Sequence, residues 1–139
     1  MKIKSVFIAV AFFLAGGLFS CQEEDVNFYE APNWAMESGD YSESMTGVID
    51  LPEYVKPYIS EGDELAAFIG DVCRGTGTLI DDVFFINIQG NPEEASPIVF
   101  RYYNSRNRYL YQESGKIFFE PNGIIGTADL PYVLTLEVL

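Results

Sequence analysis

Residues 61–78, EGDELAAFIGDVCRGTGT, constrain the fold more than any other stretch of the chain. Residues 65–69 are a short apolar run, and residues 72–80 are a second run rich in β-formers. Only Gly70-Asp71 separates the two, and such a linker closes a hairpin through a turn with positive φ at its first central residue. Arg74 stands alone in the second run. The glycines at 75 and 77 allow a bulge or a close backbone approach beside it. A charge inside a buried strand needs a partner, so a structural ion pair is expected between Arg74 and the carboxylate of Asp63 or Asp71.

Strand signals continue on both sides of this hairpin. Residues 41–51 hold a first strand around Met45-Thr46-Gly47-Val48-Ile49, and residues 52–62 read as a loop with one helical turn. After Asp81-Asp82, Phe84, Ile86 and Ile88 alternate with Phe85, Asn87 and Gln89, a period of two. Residues 90–97 read as a loop. Further strands are expected at 98–103, 108–112, 116–119 and 132–138, with turns at 104–107, 114–115 and 121–123. No stretch keeps a helical period for three turns. Seven to nine short strands with turns every eight to twelve residues predict an all-β fold, a single antiparallel β-sandwich of Ig-like or jelly-roll-like type. An open barrel is the alternative arrangement.

The amino terminus carries an address. A basic start at Lys2 and Lys4 precedes an apolar run at residues 6–19, too short to span a bilayer and patterned as a signal peptide. Leu18-Phe19-Ser20-Cys21 resembles the lipobox of bacterial lipoproteins, although Phe19 is bulkier than the usual residue there. That resemblance implies a signal at 1–20, lipidation of Cys21 and stable anchoring through two or more acyl chains. Gln22-Glu23-Glu24-Asp25 resembles the acidic cluster that directs Bacteroidetes lipoproteins to the outer face of the outer membrane. Residues 21–31 are then a flexible tether and 32–139 the folded domain. Trp34 is expected to plug one end of its core.

Charge and composition exclude several function classes. Loss of Lys2 and Lys4 leaves six of the eight Lys and Arg against 21 Asp and Glu, a formal −15. Such a surface repels phosphate backbones and anionic membranes, so nucleic acid is not an expected partner. Basic partners, cations and neutral ligands such as glycans suit it. The chain has no histidine, which removes His-assisted nucleophilic catalysis and His-based metal sites. Cys73 is left as the only free thiol once Cys21 is acylated, and its place in an apolar strand marks it as a small buried hydrophobe.

One resemblance covers about a hundred residues. Trp34, Tyr41 and Met45 are followed by Gly62-Asp63-Glu64-Leu65-Ala66-Ala67-Phe68-Ile69-Gly70-Asp71-Val72-Cys73-Arg74-Gly75. This pattern resembles a module of secreted and cell-surface Bacteroidetes proteins, in which an Asp, an Ala-Phe pair, a Gly and an Arg-Gly recur in this order. An aromatic strand and a Phe-x-x-Tyr strand then follow, here residues 84–88 and 100–103. The resemblance implies a small β-sandwich and no particular activity.

The candidate ligand site is the tyrosine-rich hairpin with its tip at 104–107. Tyr103, Arg106, Arg108 and Tyr109 are expected there around a shallow groove, because tyrosine faces stack on sugar rings and arginine bonds their hydroxyls. Asp63, Glu64, Asp71, Asp81 and Asp82 offer oxygen ligands for calcium, but their spacing matches no calcium loop, and solvated turns are the expectation. Glu64, Asp81, Asp82, Glu113 and Glu120 are the carboxylates available for glycosidase chemistry, and no motif pairs two of them. The expectation is a non-catalytic binding module without cofactor or metal, recognising a glycan, a host protein or an envelope protein. A structural subunit docking onto an outer-membrane transporter or secretion assembly is the alternative, marked by an apolar patch or bare edge strand.

Overall fold

A computed structural model describes residues 27–139; the signal at 1–20, the lipidation site Cys21 and residues 22–26 lie outside it. Nine strands form: β1 (Glu43–Asp50), β2 (Glu64–Ile69), β3 (Val72–Ile80), β4 (Val83–Gly90), β5 (Pro97–Tyr103), β6 (Leu110–Phe118), β7 (Ile124–Ile125), β8 (Tyr132–Val133) and β9 (Glu137–Val138). A single 3-10 turn at Lys56–Tyr58 interrupts the β1–β2 connection, and no α-helix occurs among the described residues. The all-β, mainly antiparallel expectation holds.

Turn chemistry explains the hairpins. Gly70 has φ +65° between Ile69 and Val72, which face each other at the head of the β2–β3 ladder. This is the positive angle its position requires. Asp81 and Asp82 both take positive φ, 52° and 67°, as a two-residue turn with two left-handed central residues demands.

The strands follow one hydrogen-bonded path, β7-β1-β4-β3-β2-β5-β6-β9, with β8 added on β1. β3 belongs to both halves: its first part pairs with β2, and residues 77–80 pair with β4. In place of two separate sheets, the strands form one continuous curled sheet. Chain length shows the curl directly. β1 and β6 are five strand spacings apart, about 24 Å if the sheet were flat. Yet β8 pairs with Ile49 and Asp50 of β1, and β9 pairs with Tyr111 and Gln112 of β6. Val133 to Glu137 is four residue steps, at most about 14 Å of chain. The C-terminal segment therefore straps the two edges together.

The curl encloses one core. Ile49 of β1, Phe84 and Ile88 of β4, Leu65 of β2, Phe100 and Tyr102 of β5, and Leu134 of the strap are all buried in it. Phe84 and Tyr102 sit three strands apart in the path, and their ring centroids are 6.1 Å apart in an edge-on contact. A smaller cluster of Ala66, Phe68 and Cys73 lies apart from this core, covered by Trp34 and Val99. Trp34 meets the Phe68 ring edge-on at 5.8 Å. It shields that smaller cluster; it does not belong to the main core.

Candidate ligand-binding groove

The bulge expected near Arg74 is present, and it redirects the side chain. Ala67 pairs with Gly75 and Phe68 with Cys73, so Arg74 is the extra residue. A Cβ at position 75 would lie 2.1 Å from the carbonyl oxygen of Asn87, so only glycine fits there. Arg74 does not pair with Asp63 or Asp71. Its guanidinium makes a two-pronged pair with Glu94, at 2.8 and 3.2 Å, and donates to the Gln89 carbonyl at 3.1 Å. The Tyr41 ring stacks on it at 4.5 Å. Arg74 holds the Glu94 carboxyl below the usual glutamate range, chiefly through these hydrogen bonds. Asp71 is exposed in the hairpin turn, and Asp63 lies four residues beyond Ala67 along the β2 direction, about 13 Å away.

Asp63 instead closes the other end of the sheet. Its carboxylate accepts from the Tyr102 hydroxyl at 2.5 Å, the Ser105 amide at 2.8 Å, the Ser60 amide at 3.1 Å and the side chains of Ser60 and Ser105. It has no cation beside it among the described residues. Asn104, fully buried, completes the knot: its Nδ2 donates to the Tyr102 hydroxyl and the Tyr58 carbonyl, and its Oδ1 accepts the amides of Arg106 and Asn107. These bonds fix the shape of the 104–109 hairpin tip. Burial raises the Tyr102 hydroxyl far above its usual pKa, with Asp63 adding to the shift, so it stays a donor.

The tip presents two sides, and the expected site residues divide between them. On one side the chain's own arm is docked. The Tyr29 amide donates to the Arg108 carbonyl at 2.9 Å, and the Tyr29 carbonyl accepts from both the Tyr103 hydroxyl and Arg108 Nε. Glu30 meets Arg108 at 3.5 Å. Further along, the Glu64 carboxylate accepts the amides of Asn33 and Trp34. Tyr103 is 4% exposed as a result. The expectation that Tyr103 faces a ligand is therefore corrected, since it is taken up by Tyr29, which the sequence places in the tether; Arg108 meets Tyr29 and Glu30 but its side chain stays about half exposed.

The other side is open. Tyr54, Tyr109, Tyr111, Leu136 and Val138 line a shallow groove of about 360 Å³. The 3-10 turn region brings in Tyr54, β6 supplies Tyr111, and the strap supplies Leu136 and Val138. Tyr54 is 61% exposed, yet it is held in place because its hydroxyl donates to the Leu136 carbonyl at 2.7 Å. Tyr109 and Tyr111 are 6.2 Å apart, and Tyr102 stacks behind Tyr111 at 5.7 Å. Asn107 donates to the Tyr111 hydroxyl at 3.3 Å. Burial, then the hydroxyls of Tyr109, Tyr54 and Tyr58 nearby, push the Tyr111 pKa up, so four tyrosines converge here. Phe28, 63% exposed, packs on Tyr109 and extends the rim. Arg106 stands on the exposed side, 5.9 Å from the Tyr58 ring, with one N–H on the Pro57 carbonyl.

Other sites are less suited to a ligand. A cleft of about 410 Å³ between the arm and β2 is lined by Glu61, Asp63 and Glu64, but the last two are already engaged by the chain's own donors. Glu113, 2% exposed, accepts the Thr135 amide at 2.7 Å and the Tyr132 hydroxyl, tying β6 to the strap. Among the described residues no three acidic side chains gather as a metal-binding group. Burial pushes the Cys73 thiol up, away from a reactive thiolate.

Three residues that matter here escape a reading of the sequence. Glu94 is one of two adjacent acids in a loop, Asn104 is one of two asparagines in a turn, and Tyr54 lies in a segment without period. Only Asn104 carries a usable signal, since a turn-initiating Asn caps following amides. Comparison of the chain with protein-family models, curated proteins and solved structures finds no match.

Proposed function

We propose that this chain is a lipoprotein displayed on the outer membrane of a Bacteroidetes-like bacterium, anchored through Cys21, whose β-domain is a non-catalytic glycan-binding module. The observation that carries the binding reading is the tyrosine groove. An exposed ring held at its hydroxyl end, as Tyr54 is, offers a preorganised stacking face at low entropic cost. The buried carboxylates Asp63 and Glu113 are saturated by internal donors, which supports a module without acid–base chemistry. If Cys21 carries the lipid, the docked arm shortens the free tether. From Cys21 to Asn27 only seven residues remain, reaching about 24 Å, so the groove sits close to the membrane.

Glycan-array binding of the chain from Gln22 onward tests this reading. The expected result is a set of hits lost in Tyr54→Ala and Tyr109→Ala chains that retain their β-rich circular dichroism. A blank array contradicts it. Labelling of the full chain with palmitate, absent in Cys21→Ser, tests the anchor.

A second reading rests on a different surface. β7 and β8 both lie on the outer edge of β1, and there Ile124, Leu130 and Val133 are 70%, 78% and 51% exposed. Such an apolar edge favours the docking subunit, a partner of an envelope assembly. Cross-linking from this edge to an outer-membrane protein in cells, abolished by Ile124→Lys, would favour it over the glycan module.

A further inference from the structure

The groove's ligand class can be narrowed from charge, an inference that rests on the glycan reading above. In a chain with so large an excess of acid, several cations of the described domain pair with its own carboxylates. Lys56 pairs with Asp50, Arg74 with Glu94 and Arg108 with Glu30. Arg101, Arg106 and Lys116 have no carboxylate partner among the described residues; Arg101 is taken up between Gln112 and the Phe68 ring, and Lys116 lies in the irregular stretch of β6 opposite Val99, away from the hairpin tip.

Among the described residues Arg106 is an exposed cation without a carboxylate partner at the hairpin tip beside Tyr58 and Asn107. It is also held in place. One guanidinium N–H rests on the Pro57 carbonyl at 3.3 Å, and the Tyr58 ring lies 5.9 Å from its centre. Asn104 Oδ1 fixes its backbone amide, and the next residue, Asn107, donates to the Tyr111 hydroxyl inside the groove. The remaining N–H groups of the guanidinium meet no acceptor among the described residues, and their fork geometry suits a carboxylate.

We propose that the groove selects carboxylated sugars, with a uronic or sialic acid ring on the tyrosine faces and its carboxylate on Arg106. The tyrosines supply stacking that any sugar ring enjoys, and Arg106 supplies the discrimination. The protein's overall negative charge opposes such a ligand at long range, so added salt that screens this repulsion raises the association rate while weakening the contact itself.

The test is an array of galacturonate oligosaccharides, glucuronate-terminated glycans and sialylated glycans, each printed beside its methyl ester. Esterification removes the charge and keeps the ring. The chain from Gln22 onward is expected to bind the free acids about tenfold more tightly than the esters, with the difference abolished in Arg106→Gln and partly kept in Arg106→Lys. Equal binding of acids and esters overturns the inference and leaves the glycan groove standing. An acid preference that survives Arg106→Gln overturns the role of Arg106. Absence of binding to every acid, ester and neutral glycan overturns both the inference and the glycan reading.

Discussion

The β5–β6 hairpin carries tyrosines and arginines on two sides, with nearly the same chemistry and opposite fates. On one side the Tyr103 hydroxyl is buried on the Tyr29 carbonyl, and Arg108 reaches the same carbonyl and Glu30 while staying half exposed. On the other side Tyr54 keeps most of its ring in solvent, Tyr109 is half-buried between the core and Phe28, and among the described residues Arg106 keeps most of its donors free. Composition does not separate structural residues from ligand residues here; what is left unbonded does. A polar side chain completed internally contributes to folding, and removing it costs stability. A preorganised one left open costs little to remove, except to a ligand.

Substitutions that probe the two sides should separate stability from binding. The largest loss is expected beneath the hairpin, at Asp63→Ala. This change strands the Tyr102 hydroxyl and the Ser60 and Ser105 amides without their acceptor, at about 4 kcal/mol by urea unfolding. Next comes Glu94→Gln, which leaves the Arg74 guanidinium buried without its counter-charge and should cost about 3 kcal/mol. This pair also sets an acid limit. Because the folded state lowers the Glu94 pKa, its contribution is complete above the unfolded glutamate value of about 4.3. It is lost as pH falls through the lower folded value, and the Glu94→Gln chain should show a flatter decline of stability below pH about 4.

Smaller effects sharpen the contrast. Tyr103→Phe removes one hydrogen bond to the arm and should cost about 1 kcal/mol, with ligand binding unchanged. Tyr54→Ala should cost less than about 1 kcal/mol, because the ring is mostly in solvent and only its bond to Leu136 is lost. A Tyr54→Ala chain as unstable as Asp63→Ala would break the division between the two sides.

The sequence shows some of this arrangement and hides the rest for physical reasons. The β2–β3 hairpin is legible because a two-residue turn with positive φ demands a residue such as Gly70. The alternation at 84–89 is legible because one side of β4 is buried and the other is not. The partner of Arg74 is not legible, since a bulge aims the side chain at a loop acid twenty residues away. Closure of the sheet is hidden as well: β8 and β9 are two residues each, too short for any period, and distant edges position them. Among the site residues, Tyr109 and Arg106 lie on the open side as their place in a hairpin suggests. Tyr103 does not, because arm docking depends on contacts between segments more than seventy residues apart.

Titration of the tightest-binding array glycan into the wild-type, Tyr54→Ala and Tyr103→Phe chains by calorimetry tests the central claim most directly. At least a tenfold weaker affinity in Tyr54→Ala, with Tyr103→Phe equal to wild type, is the result expected of an open side that binds and a closed side that folds. Lost binding in Tyr103→Phe with Tyr54→Ala unchanged would place the ligand under the arm and contradict it.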